Sequence, residues 1–140
     1  MNSREPLVSI VTPLYNMARH LPATIESVLS QDYPRIEYIV VDGGSTDGSL
    51  EILERHRDRL RWITGKDKGP SDAVYRGFLE ARGEVFAWLN ADDINLPGAV
   101  RTGVKYLASL RMGLRLNPAK PFRFLGEWLC APAALFQRRG

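Results

Sequence analysis

The chain has one cysteine, Cys130, and two histidines, His20 and His56. A lone thiol cannot close an internal disulfide, anchor a cysteine-ligated zinc or form a CxxC redox pair. The two histidines lack metal-ligand spacing and read as surface or helix-end residues. Long hydrophobic runs are also missing: the longest apolar stretches, residues 85–89 and 129–136, are far short of the about 20 residues a membrane helix requires. The first six residues lack the basic and apolar regions of a secretory leader, so a reducing, cytoplasmic location is expected. The chain contains no GxGxxG, GxxxxGK[ST], HExxH or GxSxG. A dinucleotide fingerprint, an ATPase-type phosphate loop, a zincin site and a nucleophile elbow are thereby excluded.

Acidic residues are scarce at one end only. Residues 1–100 hold 11 basic and 15 acidic side chains, whereas residues 101–140 hold 8 basic side chains and one acid, Glu127. An acidic body therefore carries a basic tail, although the formal net charge is only +3. At 44% hydrophobic and 25% charged residues, 140 residues are enough to bury a globular core.

Four β-branched runs, residues 8–12, 36–41, 60–63 and 85–89, read as strands. Between them, Leu21/Ile25/Val28/Leu29, Leu50/Ile52/Leu53 and Ala73/Val74/Gly77/Phe78/Ala81 have helical spacing, and Val100/Val104/Leu107 continues it after the fourth strand. Pro22, Pro70 and Pro97 are placed for first helical turns, and Thr46 with Asp47 for capping the second helix. Trp62 and Trp88, within apolar runs, read as core. Alternating strands and helices predict an α/β fold, a Rossmann-like parallel sheet with helices on both faces. The expected organisation is one domain over residues 7–109 and a shortened basic tail over 110–140.

Parallel sheets of this kind bind ligands at the carboxyl ends of their strands, which makes the residues after each strand the candidates. Asn90-Ala91-Asp92-Asp93 follows the fourth strand. Adjacent carboxylates there suit a hard divalent cation, Mg2+ or Mn2+, or are solvated loop residues. Asp42 ends the second strand, where a carboxylate accepts from a ribose hydroxyl or a base N–H, or bonds the amides of its own turn. Lys66 and Lys68 flank Asp67 just before a helix start, giving either an anion site or two solvated ammonium groups. Tyr15 offers a ring to stack on a base or to lie on the domain surface.

Four ordered blocks carry a resemblance over roughly residues 7–108: VSIVTPLYN from Val8, IEYIVVDGGSTD from Ile36, DKGPSDA from Asp67 and WLNADD from Trp88. In order and spacing they resemble the family 2 glycosyltransferases of the GT-A fold. The resemblance implies a nucleotide-diphospho-sugar donor (UDP-, GDP- or dTDP-sugar), a divalent cation and inverting transfer of the sugar to an acceptor hydroxyl. By position, it implies that Pro13 and Tyr15 frame the base and that Asp42 bonds it. Lys68 would stand near the nucleotide where the family often has Arg, Asp92 would touch the ribose or donor sugar, and Asp93 would hold the metal. Tyr75 stands where the family commonly has Asn.

Inverting transfer needs a general base for the acceptor hydroxyl, which the family places on a carboxylate beyond the metal motif. Here the only later acid is Glu127, and residues 121–139 resemble a family stretch that arrives early. The expectation is a C-terminally truncated enzyme whose acceptor half is shortened. The alternative is a catalytically inactive nucleotide-sugar-binding remnant. Expected partners are the sugar nucleotide and a glycan, lipid-linked or small-molecule acceptor, and no nucleic acid. Peripheral contact with the inner membrane face through the basic tail stands beside a simply solvated tail. A receiver-type signalling domain also places carboxylates at strand ends, yet it leaves Tyr15 and Gly43-Gly44 without a use.

Overall fold

A computed structural model describes residues 4–110 and 136–138. Glu127, Cys130 and, apart from Leu110 and the last short strand, the tail expected over 110–140 lie outside the described residues. The elements run β1 (Val8–Leu14), α1 (Leu21–Leu29), β2 (Ile36–Asp42), α2 (Ser49–Glu54), β3 (Arg61–Thr64), α3 (Pro70–Glu80), β4 (Val85–Trp88), β5 (Asp93–Asn95), α4 (Ala99–Leu110) and β6 (Phe136–Arg138). Strands β1 to β4 form one sheet in the order β3-β2-β1-β4, every pair parallel. Strands β5 and β6 pair antiparallel, with Asp93 opposite Arg138 in register.

The four expected strands and the helices between them are all present. Pro22 and Pro70 occupy first turns, where a missing N–H costs nothing. Pro97 does not: α4 begins at Ala99, and Gly98, at φ +80°, makes the turn in front of it. Strand β5 was not expected, because three residues carry no periodicity and their partner lies some forty positions onward.

Alternation along the strands divides the core in two. Val8, Ile10 and Leu14 of β1, with Tyr38 and Val40 of β2, meet Leu21, Ile25 and Val28 of α1, Leu53 of α2 and Val100 of α4. On the opposite face Val11, Ile39 and Val41 meet Ala73 of α3, with Phe78 packed against them. Each fully buried aliphatic side chain contributes about 1.5–3 kcal/mol relative to exposure. Helix α3 lies close to the sheet because Gly77 has no side chain: a Cβ there would overlap Val11 and come within 3.1 Å of Val41 Cγ2. Trp62, expected in the core, is half-buried and packs against the first cluster, and Trp88 is likewise half-buried.

Polar ties fix the other end of the sheet. Glu37 accepts from the Ser9 hydroxyl at 2.6 Å and the Arg82 N–H at 2.8 Å, and pairs with Arg61 at 2.8 Å. Burial pushes its carboxyl up, but these three partners together hold it below its ordinary value. Helix α4 is anchored by Arg101, which bonds Glu5 at 2.7 Å and Asp32 at 3.2 Å and stands 5.5 Å over the Tyr33 ring. Among the described residues no helix is long and apolar enough to cross a membrane.

Candidate functional site

The carboxyl ends of β1 to β4 open into a cavity of about 740 Å³. Its wall includes Pro13 at the end of β1 and Tyr15 and Met17 after it, Gly43 and Gly44 after β2, Lys66, Asp67 and Gly69 after β3, and Asn90, Ala91 and Asp92 after β4. Loops distant in sequence therefore form one concave surface, as expected for this topology.

The β1 and β2 loops are tied to each other. Asn16 adopts the left-handed conformation at φ +48°, its N–H donates to Ser45 Oγ at 2.8 Å, and its Oδ1 accepts from the Thr46 N–H at 2.8 Å. Asp47 accepts from the Ala18 N–H at 2.8 Å and from the Ser49 hydroxyl at 2.6 Å. Burial pushes the Asp47 carboxyl up, but the Ser49 hydroxyl and the Ala18 and Ser49 N–H groups together outweigh it and hold the group below its ordinary value. Helix α2 begins after Gly48, with Asp47 accepting from the N–H of its first residue, Ser49, from two positions upstream. These ties hold up Tyr15, which is 61% exposed at the cavity rim.

Asp42 lies beneath the cleft. It is 0% exposed, and its carboxylate accepts from the N–H groups of Gly44 and Ser45 at 3.1 Å and from Thr64 Oγ1 at 2.7 Å. Of the two readings open for this residue, the geometry matches turn building, with the β3 hydroxyl as a donor that the sequence did not indicate. Lys68 is exposed and is not among the lining residues, and its backbone N–H donates to Asp72 at 3.1 Å. It is Lys66 that joins the wall.

Asp92 lines the cavity, and Asp93 lies behind it at the start of β5, 8% exposed. The Asn90 amide donates to Asp93 Oδ2 at 3.1 Å. Thr24 of α1, fully buried, has its hydroxyl 2.8 Å from the carbonyl oxygens of both Ala91 and Asp93. Sequence reading missed Thr24 and Thr64, since a threonine in a helix or at a strand end signals nothing by itself. Among the described residues no three His, Cys, Asp or Glu side chains gather into a cage for a metal. Two adjacent carboxylates nonetheless suit a hard cation that draws its remaining ligands from phosphate oxygens and water.

Residues 9–114 match the sequence model of the family described as Glycosyl transferase family 2. The chain belongs to this family. An uncharacterised glycosyltransferase of Rickettsia typhi is 35% identical over 109 residues, covering 78% of this chain and 34% of that protein. The Escherichia coli chondroitin synthase is 38% identical over 100 residues, covering 69% of this chain and 15% of the synthase. The chain thus spans about a third or less of the length of these family members. Among solved structures, the mannosyltransferase PcManGT of Pyrobaculum calidifontis, in complex with GDP-Man and Mn2+, superposes with a TM-score of 0.70 at 28% identity, over 76% of this chain and 33% of that one. TarS of S. aureus shares the fold at 23% identity and a TM-score of 0.69, over 80% of this chain and 23% of TarS. The GT-A fold expected from the sequence is the fold observed.

Proposed function

We propose that this chain forms the donor-binding half of an inverting, metal-dependent glycosyltransferase that takes a nucleotide-diphospho-sugar and passes the sugar to an acceptor hydroxyl. The observation that carries the reading is the cavity itself, in which the Asn90–Asp92 turn, the Tyr15 loop, the Gly43-Gly44 turn and the Lys66–Gly69 loop line one wall. The likeness to a mannosyltransferase holding GDP-Man and Mn2+ supports it.

A bound Mg2+ or Mn2+ would neutralise charge on the leaving diphosphate. In this reading Asp93, with Asp92 in front of it, holds that ion, and Asn90 fixes the Asp93 carboxylate through its amide. Asp92 faces the ribose or donor sugar. Pro13 and Tyr15 frame the base. Tyr15 is exposed in the free protein, so stacking buries an aromatic face that water now covers. Asp42 shapes the turn beneath the base, and Lys66 supplies positive charge along the wall. Lys68, outside the wall, reaches the nucleotide only as a flexible exposed side chain.

A second reading, a nucleotide-sugar-binding module without transferase activity, is favoured by one fact. Among the described residues no carboxylate follows Asp93, and Glu127 lies outside them. Donor binding and donor turnover separate the two readings. Titration with UDP- and GDP-sugars in Mn2+ should show binding that EDTA abolishes and Asp93→Ala weakens at least tenfold. Release of nucleoside diphosphate on adding acceptors supports the enzyme, and binding without release supports the module. Nucleotide binding unchanged by EDTA and by Asp93→Ala would overturn the metal-dependent reading.

A further inference from the structure

Strand β5 stands outside the four-stranded sheet, and among the described residues it pairs only with β6. Hydrophobicity would set a strand of sequence Asp-Ile-Asn with Ile94 inward and its two polar neighbours in water. The observed frame is the opposite one. Asp93 and Asn95 are 8% and 5% exposed, Ile94 is only half-buried, and Asn95 Oδ1 is buried without a hydrogen-bond partner. Moving a strand by one residue exchanges its faces, so something other than apolar burial holds β5 in this frame.

The holding groups come from one side of α1 and from the residue just past its end. Thr24, Ser27 and Gln31 recur at the spacing of one helix face, and each bonds the backbone between residues 91 and 100. Thr24 Oγ1 is 2.8 Å from the carbonyl oxygens of Ala91 and Asp93, and Ser27 Oγ accepts from the Asn95 N–H at 3.1 Å. Gln31 takes the far end: its Nε2 donates to the Leu96 carbonyl at 2.9 Å, and its Oε1 accepts from the Val100 N–H at 3.2 Å. A further donation from Nε2, to the Ser27 carbonyl at 3.0 Å, ties the amide back to α1. Both polar ends of this amide are committed, and it closes the Pro97-Gly98 turn between β5 and α4. An anchor at Thr24 alone leaves the strand free to swing about that point. A second anchor about two helical turns along, roughly 10 Å away, fixes its direction.

We propose that Gln31 is a positioning residue of the donor site, holding β5 in the frame that keeps the Asp93 carboxylate inward behind Asp92. The assignment rests on the reading of Asp93 as the group that holds the metal. Asn95 Oδ1 marks what the frame gives up, a buried acceptor without a donor on the face that Asp93 shares.

Titration of the full chain with Mn2+ in the presence of UDP or GDP, followed by the electron paramagnetic resonance signal of free Mn2+, tests this. Gln31→Met keeps the length of the side chain and removes both hydrogen-bonding atoms, and Mn2+ should bind about fivefold or more weakly. Asn95→Leu gives β5 an apolar side chain that favours the buried face, so it should melt higher than wild type. Combined with Gln31→Met, it should bring Mn2+ affinity back to within about twofold of wild type. Wild-type affinity in Gln31→Met, or a double variant as weak as the single one, overturns the assignment and leaves the donor reading standing. Amide hydrogen exchange decides the matter without a ligand. The Asp93 N–H, which donates to the Asn90 carbonyl at 3.1 Å, should lose about tenfold in protection in Gln31→Met while Ile39 in the sheet keeps its own. Unchanged protection at Asp93 overturns the assignment whether or not the metal binds. Loss of that protection in a chain whose wild type binds no Mn2+ with either nucleotide overturns the donor reading and, with it, the role of Gln31.

Discussion

The hydroxyl of Thr24, in the first helix, lies 2.8 Å from the carbonyl oxygen of Asp93, a residue 69 positions away. The Ala91 carbonyl is equally close, so one buried side chain holds both ends of the turn that presents Asp92 to the cavity. Thr24→Val keeps the shape and removes the one buried hydroxyl that the two carbonyls share, at a cost of about 1–3 kcal/mol. Chemical denaturation should show that loss, and Mn2+-dependent nucleotide affinity should fall with it. Thr24→Ser, which keeps the hydroxyl, should restore the affinity. A valine variant with wild-type metal dependence would show that the turn holds its shape without Thr24.

Asp42 gives a test of a different kind. Its carboxylate faces two N–H groups and a hydroxyl. In Asp42→Asn the amide nitrogen meets a donor wherever it turns, and a stability loss of about 1–3 kcal/mol is expected. Because the residue is buried beneath the turn and is not among the cavity-lining residues, the relative affinities for different nucleotides are expected to stay as in wild type. A change in base preference with unchanged stability would return Asp42 to the role its sequence position implies.

Gly77→Ala sets two effects against each other. Alanine is the better helix former by about 1 kcal/mol. Its Cβ, however, would overlap Val11 and press on Val41, and overpacking a core costs about 1–3 kcal/mol. A net loss in urea unfolding is expected, and a more stable variant would show that α3 can lift from the sheet at little cost.

Acid should loosen the base of the sheet. The Glu37 carboxyl sits below its ordinary value of 4.5 in the folded state. A depressed folded value contributes stability above the unfolded value, and the contribution disappears as pH falls through the folded one. The melting temperature of the wild type should therefore decline as pH drops below 4.5, and Asp47, shifted the same way, adds to the slope. Glu37→Gln should melt lower at neutral pH and decline less steeply in acid. Parallel profiles for the two proteins would rule out Glu37 as a source of the acid response.

The elements legible in the sequence were those with long-period signals. Four β-branched runs and the helical spacing of Ile25/Val28 or Ala73/Gly77 identified the sheet and its covering helices. The sequence also located the cleft, because the ends of parallel strands follow from the order of elements. It did not show which acidic or basic side chain faces the ligand. Asp42 and Asp67 are alike as letters, and only the fold turns one under the β2 turn and the other onto the wall. Lys66 and Lys68 are exchanged in the same way by two residues of loop. Thr24 was invisible because its partners are backbone carbonyls, which every residue has.

The order of strands also sets a timetable for the nascent chain. β1 is made first, yet it is an inner strand, flanked by β2 and β4. Its partner Val85 follows Val8 by 77 positions, so one edge of a strand of buried valine and isoleucine stays unpaired until most of the domain has been synthesised. Pairing so distant in sequence is slow to form, and an open apolar edge is where chains join one another. During synthesis the centre of the sheet is therefore open to association with other chains, and a pause by the ribosome before residue 85 prolongs that exposure.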